Sequence, residues 1–290
     1  MNILVTGSKG QLGSEIKDLA AKYKGFNFFF MDLPELDICS SKQLDIFFKD
    51  KNINTVVNCA AYTAVDRAED EVEIAEEVNA TGVLNLVNAL EKVKGKLIHI
   101  STDYVFDGNS FLPYQELDEV NPIGVYGNTK RSGELSVINS NIDGIVIRTS
   151  WLYSAYGNNF VKTMLRLGNE RDKLGVIFDQ VGTPTNASDL AKTCLDILSY
   201  KKESNINTKG KIYHFSNEGV ASWYDFAIAI MDLGKVNCNL NPIETKDYPT
   251  PAKRPHFSVL NKSKIKKDFE IEIPFWRDSL VICISKLNKI

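Results

Sequence analysis

The chain opens MNILVTGSKGQLGSE, residues 1–15. Residues 2–6 are short, apolar and strand-like. Residues 11–22 place Leu12, Ile16, Leu19 and Ala20 on one face of a helix. The glycines Gly7, Gly10 and Gly13 therefore fall at a strand-to-helix turn. In that position Gly7 permits the tight turn, Gly10 lets the backbone approach a pyrophosphate, and Gly13 lets the helix pack against the strand. The helix N-terminus offers its free N–H groups to the anion. Glycine turns of this spacing also arise on steric grounds alone, so the surrounding sequence has to decide.

The next segment decides for a dinucleotide. Residues 26–31 form an apolar second strand closed by Asp32, where a carboxylate can accept ribose hydroxyls and repel a 2′-phosphate. The competing reading is that Asp32 only starts the loop DLPELD. Further strands at 55–59, 97–101 and 144–149 alternate with helices at 74–93 and from about Tyr126. This rhythm predicts an α/β fold, a doubly wound, Rossmann-like parallel sheet covered by helices on both faces.

After Ser150 the rhythm loosens into a smaller mixed α/β C-terminal lobe. Its elements are a helix at 160–167, a strand at 175–178, a helix at 189–200 and a strand at 212–216. A further helix runs through Ile230, capped by Ser222 with Asp225 at capping-box spacing. Residues 201–211 form a polar surface loop, and NPIETKDYPTPAKRP (241–255), with four prolines, is extended. The expected division is a dinucleotide-binding domain at 1–150, to which segments within about 175–200 return, and a substrate-binding lobe over most of 151–290.

Composition narrows the partners. With 290 residues, 43% of them hydrophobic, and a formal charge of −3, the chain has a core but no basic field, which argues against nucleic acid. The apolar runs are strand-length and Met1 leads straight into a core strand, so neither a membrane span nor a cleaved leader is expected. The five cysteines form no CxxC pair and the three histidines are scattered. Reduced thiols, a cytoplasmic location and no metal site follow as expectations.

Ligands of open α/β sheets bind beyond the carboxyl ends of the strands. At one such end, in IHISTDYVFDG (98–108), Ser101, Thr102 and Asp103 follow the strand. In PIGVYGNTKRSGE (122–134), Tyr126 and Lys130 stand four apart, on one helix face. A phenol titrates near pH 10; an ammonium one turn away stabilises the phenolate and is expected to lower that value. Tyr126 and Lys130 then form a proton-transfer unit, and Thr102 can hold a carbonyl oxygen against the phenol while a hydride arrives. Alone, YxxxK is usually a solvent-facing pair. The order of parts, glycine turn, acid, Ser-Thr and then YxxxK, sets this one apart.

In TGSKGQLG, STDYVFDG and YGNTK the chain resembles the extended short-chain dehydrogenase/reductase superfamily. In NCAAYTAVDRAE, RTSWLY, GNNFVKTMLRL, FDQVGTPT and YPTPAKRPHFSVLN it resembles, over nearly its whole length, the sugar-nucleotide 4-ketoreductases that form dTDP-L-rhamnose. The resemblance implies an enzyme that reduces the 4-keto group of dTDP-4-dehydro-6-deoxy-L-mannose with NADH or NADPH, in the biosynthesis of dTDP-rhamnose for cell-wall polysaccharide. It implies Tyr126 as proton donor, Lys130 as its activator and ribose ligand, and Thr102 as the third catalytic hydroxyl. Gly7, Gly10, Gln11, Leu12 and Gly13 would meet the pyrophosphate, Asp32, Asp37 and Ile38 the adenosine, and Ala61, Tyr62 and Thr63 the cofactor's middle. For the dTDP-linked sugar it implies Thr102, Asp103 and Trp151, with Asn159 and Arg254 at the nucleotide diphosphate. A homodimer is the family's habit.

Other readings stay beside these. Trp151, at the end of a strand, reads as core more readily than as ligand, although the flanking Ser150 and Tyr153 argue for a cleft; His99 is structural, and Asn79 and Gly82 serve close packing in a helix. Asp66, Arg67, Glu69, Asp70 and Glu71 form a solvated charged face, while Trp223 and Tyr224 pack the second lobe. A related 4-ketoreductase or epimerase, or a non-catalytic sugar-nucleotide-binding regulatory subunit, remains an alternative function. Dehydration is opposed by Tyr104, because dehydratases carry an acid at that position.

Overall fold

A computed structural model of the chain describes residues 1–200 and 208–289. Five strands in chain order, β1 (Asn2–Thr6), β2 (Asn27–Phe30), β3 (Thr55–Asn58), β4 (Lys96–Thr102) and β5 (Asp143–Thr149), are joined by the strand Lys211–His214. Together they form one sheet, ordered from Lys211–His214 through β5, β4, β3 and β1 to β2. Every pairing in it is parallel. The chain runs outward from β1 in both directions, so the carboxyl ends of β1, β3 and β4 meet at the point where the order reverses. Crevices open there in doubly wound sheets.

The inner strands β1, β3, β4 and β5 are buried on both faces, which is why their sequences are largely continuous apolar runs rather than alternating ones. On one face Leu12 and Ile16 of the helix α1 (Gln11–Leu19) pack with Leu190, Cys194 and Leu195 of the helix Ala187–Ser199. On the other face Leu44 and Phe48 of the helix α2 (Ser41–Lys51) pack with Leu86 and Leu90 of the helix Gly82–Val93. The predicted helix over 74–93 is not uniform: Val72–Glu76 is α-helical, Glu77–Thr81 is a π-helical turn, and the α form resumes at Gly82. The expected helix at 11–22 likewise tightens to 3₁₀ at Ala20–Lys22.

The second lobe has its own core, in which Val161, Met164, Phe226, Ile230, Trp276 and Leu280 join the helices Phe160–Glu170, Trp223–Gly234 and Trp276–Leu287. The Ser222 cap forms as expected: its hydroxyl accepts from Asp225 N–H, and the Asp225 carboxylate accepts from Ser222 N–H. The strand Lys173–Ile177 stays in this lobe and pairs with Asn239–Ile243, whereas Ala187–Ser199 and Lys211–His214 rejoin the large sheet. The proline-rich segment 241–255 is mostly without helix, apart from one 3₁₀ turn at Thr245–Asp247. Most of the polar loop at 201–211 lies outside the described residues. No helix among the described residues is long and apolar enough to cross a membrane.

Candidate active site

A cleft of about 900 Å³ lies over the carboxyl ends of the sheet, between the two lobes. It starts at the glycine turn. Gly7 has φ +60°, and a Cβ there would come within 2.7 Å of Ala60 N, so both the backbone and the space require glycine. A Cβ on Gly13 would meet the Gly7 carbonyl at 2.5 Å, which makes Gly13 the close-packing glycine and keeps it out of the cleft wall. Gly10, Gln11 and Leu12 do line the cleft, and α1 begins at Gly10 without a side-chain cap. Its first N–H groups are free to meet an anion. An elongated cleft and an uncapped helix N-terminus suit a dinucleotide.

Asp32, Asp37, Ile38, Ala61, Tyr62 and Thr63 line the same cleft. The Asp32 carboxylate accepts from the N–H of Lys9 and of Leu33, each at 2.8 Å, so it fastens the glycine turn to the end of β2. The Lys9 ammonium donates to the Leu33 carbonyl and to Glu35 alongside.

At the other end Thr102, Asp103, Tyr126, Lys130 and Trp151 come together. The Thr102 hydroxyl donates to Asp103 Oδ1 at 3.0 Å and accepts from Tyr104 N–H at 3.2 Å, and it shares the cleft wall with the Tyr126 phenol. Lys130, 2% exposed, donates from Nζ to the Ile100 carbonyl at 2.7 Å. The helix Val125–Ile138 that carries Tyr126 and Lys130 packs tightly at its start, where a Cβ on Gly127 would lie 2.2 Å from the Tyr104 carbonyl. Tyr104 meets Tyr126 edge-on, ring centroids 5.4 Å apart.

Burial dominates the electrostatics. It pushes the Tyr126 phenol up to about 12, against the pull of the Thr102 hydroxyl. This overturns the expected depression by Lys130, whose own ammonium burial pulls down to about 8 against the support of Glu134. Burial also raises the Asp103 carboxyl to about 6, opposed by the hydroxyls of Thr102 and Ser258.

Of the two residues assigned to the nucleotide diphosphate, Asn159 lines the cleft and Arg254 does not. Asn159 caps the helix Phe160–Glu170, and its Nδ2 donates to Gln11 Oε1 at 3.0 Å, which puts it beside the glycine turn. Arg254 is absent from the cleft lining; its fork grips Asp66 at 2.7 and 3.0 Å. The charged run is therefore more than a solvated face. Asp66 holds Arg254, Glu69 accepts from Val125 N–H at 2.9 Å, and Glu71 accepts from the Tyr62 hydroxyl.

Beyond the packing role that its sequence position suggests, Asn79 is the polar hub behind the cleft. Fully buried in the π turn, it accepts from Tyr62 N–H and donates to the Tyr62 carbonyl and to the Thr129 hydroxyl. Its signal was a buried amide in a helix three residues before Gly82, whose Cβ would strike Ile38 at 2.7 Å. His99 is structural as expected: it is fully buried, and it bonds Asn58, which accepts from Thr6, across three neighbouring strands. Trp151 answers to both its readings, lining the cleft and stacking on Trp223 with centroids 3.6 Å apart.

A switch-point crevice with a glycine turn at one end and a Thr-Tyr-Lys cluster at the other defines a nicotinamide-dependent oxidoreductase of the extended short-chain dehydrogenase/reductase class. The chain matches the model of the RmlD substrate binding domain over residues 1–289. It is 42% identical to a dTDP-4-dehydrorhamnose reductase of Aggregatibacter actinomycetemcomitans over 96% of each chain. Among solved structures it resembles the reductase of that name from Clostridium acetobutylicum, with TM-score 0.92 and 41% identity over 99% of this chain and 100% of that one. It equally resembles the Bacillus anthracis reductase in complex with NADP, with TM-score 0.92 and 34% identity over 98% and 99%. The chain belongs to the RmlD family, that of the dTDP-4-dehydrorhamnose reductases.

Proposed function

We propose that this protein reduces the 4-keto group of dTDP-4-dehydro-6-deoxy-L-mannose to dTDP-L-rhamnose with NADH or NADPH. The observation that carries the reading is that Thr102, Tyr126 and Lys130 line one cleft with the glycine turn. When bound, the reduced nicotinamide supplies the hydride. Gly10, Gln11 and Leu12 hold the pyrophosphate at the helix N-terminus, and Asp32, Asp37 and Ile38 enclose the adenosine. Ala61, Tyr62 and Thr63 flank the middle, with Gly7 and Gly13 shaping the turn.

Thr102 orients the keto oxygen, and Tyr126, half-buried in the cleft wall and protonated at neutral pH, gives its proton to that oxygen as negative charge develops there. The Lys130 ammonium holds a ribose hydroxyl and stabilises the phenolate left behind. Asp103 and Trp151 contact the sugar, while Asn159 and Arg254 serve the diphosphate end, Arg254 from its hold on Asp66. The free cysteines fit a cytoplasmic enzyme. Homodimerisation rests on the resemblance alone, and light scattering tests it.

The deciding experiment follows NADPH oxidation with the dTDP-linked 4-keto sugar and identifies the product by NMR. Stoichiometric dTDP-L-rhamnose is the expected result. Cofactor binding without reduction points to the regulatory subunit, and a different C4 epimer points to a related ketoreductase.

A further inference from the structure

Behind the site lies a buried ionic cluster with no part in the chemistry above. Glu134, fully buried, follows Lys130 by one helical turn. Its Oε1 accepts from the Ser101 hydroxyl at 2.7 Å and from Arg148 Nε at 2.8 Å. Its Oε2 accepts from the second arm of Arg148 and from Arg131, each at 2.8 Å. Ser101 immediately precedes Thr102 on β4, and Arg148 stands opposite Ser101 on β5. One carboxylate thus joins the strand end bearing Thr102 and Asp103 to the helix bearing Tyr126 and Lys130.

A purely structural pair would not need this place. Burying an ion pair is often no more stabilising than apolar packing, and a tie between neighbouring strands and a helix could be apolar. The location instead counts charge. Three cations, Lys130, Arg131 and Arg148, stand around Glu134 at the middle of the helix; Glu116 acts on Arg148 as well, but Glu134 is the carboxylate that acts on Lys130. The other titratable groups facing Lys130 are Cys59 beyond β3, His99 on β4 and Tyr126 on its own helix. Burial disfavours the thiolate of Cys59 and the charged form of His99, so neither offers compensation.

We propose that Glu134 is a positioning residue for the reduction: it fixes the Thr102 strand end against the Tyr126 helix and supplies the negative field in which the buried Lys130 ammonium stays charged. The proposal rests on the roles given above to Thr102, Tyr126 and Lys130. Consistent with it, Glu134 opposes the burial that pulls Lys130 down to about 8.

The test compares Glu134→Gln and Glu134→Asp with the unaltered enzyme. It measures the pH profile of kcat and, independently of turnover, NADPH affinity by nicotinamide fluorescence across the same range. Glu134→Gln should move the alkaline limb of both profiles to lower pH by about one unit, the effect of removing one nearby opposite charge, and Glu134→Asp should restore most of it. Ser101→Ala, which leaves every charge in place, should lower kcat several-fold with the limb unmoved and NADPH affinity unchanged. If Glu134→Gln does not fold, Arg131→Met, which removes a partly exposed cation beside Glu134, gives the converse reading: the limb should move to higher pH, and a limb that stays put overturns the proposal. A limb at the unaltered position in the folded Gln variant, or full kcat in Ser101→Ala, overturns the proposal. Failure of the underlying reading shows separately, as a Tyr126→Phe enzyme that still turns over.

Discussion

A phenol that is to donate a proton must first keep it, and Tyr126 keeps it because burial pushes its pKa up to about 12. Tyr126→Phe should therefore lower kcat by roughly two to four orders of magnitude while NADPH still binds, since a positioned acid is worth about that much. The pH dependence belongs to other groups. As pH rises through about 8 the Lys130 ammonium is lost, and as pH falls through about 6 the Asp103 carboxylate that accepts from Thr102 is neutralised. Turnover should be bell-shaped between those limits; an alkaline limb beyond pH 10 would return control to the phenol. Cofactor choice is also a matter of single residues. Asp32 already accepts from two backbone N–H groups, and the Lys9 ammonium lies near it on Glu35 and the Leu33 carbonyl. The carboxylate's repulsion of a 2′-phosphate is thereby blunted, so kcat/KM for NADH and NADPH should agree within about tenfold, with Lys9→Glu favouring NADH. A hundredfold preference in the unaltered enzyme counts against this balance.

At the scale of elements, side chains remote in sequence hold the cleft walls. The π turn at Glu77–Thr81 lets Asn79 satisfy both backbone groups of Tyr62, in keeping with the frequency of such turns at functional sites. Asn79→Ala leaves those groups and the Thr129 hydroxyl short of partners, and should cost about 1 to 3 kcal/mol of stability with a raised NADPH Kd. Denaturant titration and fluorescence check it; an unchanged Kd confines Asn79 to packing. Arg254→Ala should raise substrate KM by roughly ten- to a hundredfold with cofactor affinity unchanged, and by more than Asp66→Ala does. Equal effects would reduce Arg254 to a tie for its segment. The elements themselves were legible because parallel strands buried on both faces read as apolar runs, and because glycine spacing and YxxxK are local patterns. The Asp66–Arg254 grip and the Asn79 hub were not, because each joins segments far apart in the chain whose proximity only the folded topology creates. The phenol's raised pKa is hidden from the sequence for the same reason: a spacing of four reveals a neighbouring ammonium but not how far the surrounding fold screens the hydroxyl from water.

Over the whole molecule, α1 couples the two lobes. Gln11, Glu15 and Asp18, at i, i+4 and i+7, lie along one side of the helix that follows the glycine turn, and each meets the second lobe. Gln11 accepts from Asn159, Glu15 from Ser154 at 2.6 Å and Lys286 at 2.7 Å, and Asp18 from Tyr156 at 2.8 Å and Lys286 at 2.7 Å. Lys286 also sits over the Tyr156 ring at 4.5 Å. The cofactor turn is thus braced by Lys286 of the helix Trp276–Leu287 and by Ser154, Tyr156 and Asn159 of the segment that leads into the helix Phe160–Glu170. Lys286→Met keeps most of the aliphatic contact but leaves Glu15, only 2% exposed, with Ser154 alone. Because Lys286 is itself partly in solvent, the cost should stay near 1 to 2 kcal/mol, below that of breaking a fully buried pair. In a chain of this size that lowers Tm by roughly 2 to 6 °C. Hydrogen bonds from Lys286 and Tyr156 hold the Asp18 carboxyl below its ordinary value, against the burial that opposes them. A depressed carboxyl adds stability that is present above its unfolded pKa and lost as pH falls through the folded one. The Tm difference between Lys286→Met and the unaltered protein should therefore be full at pH 7 and shrink below about pH 4. Calorimetry at the two pH values measures it, and a difference that persists undiminished in acid would assign the loss to packing against Tyr156 rather than to the charges that join the lobes.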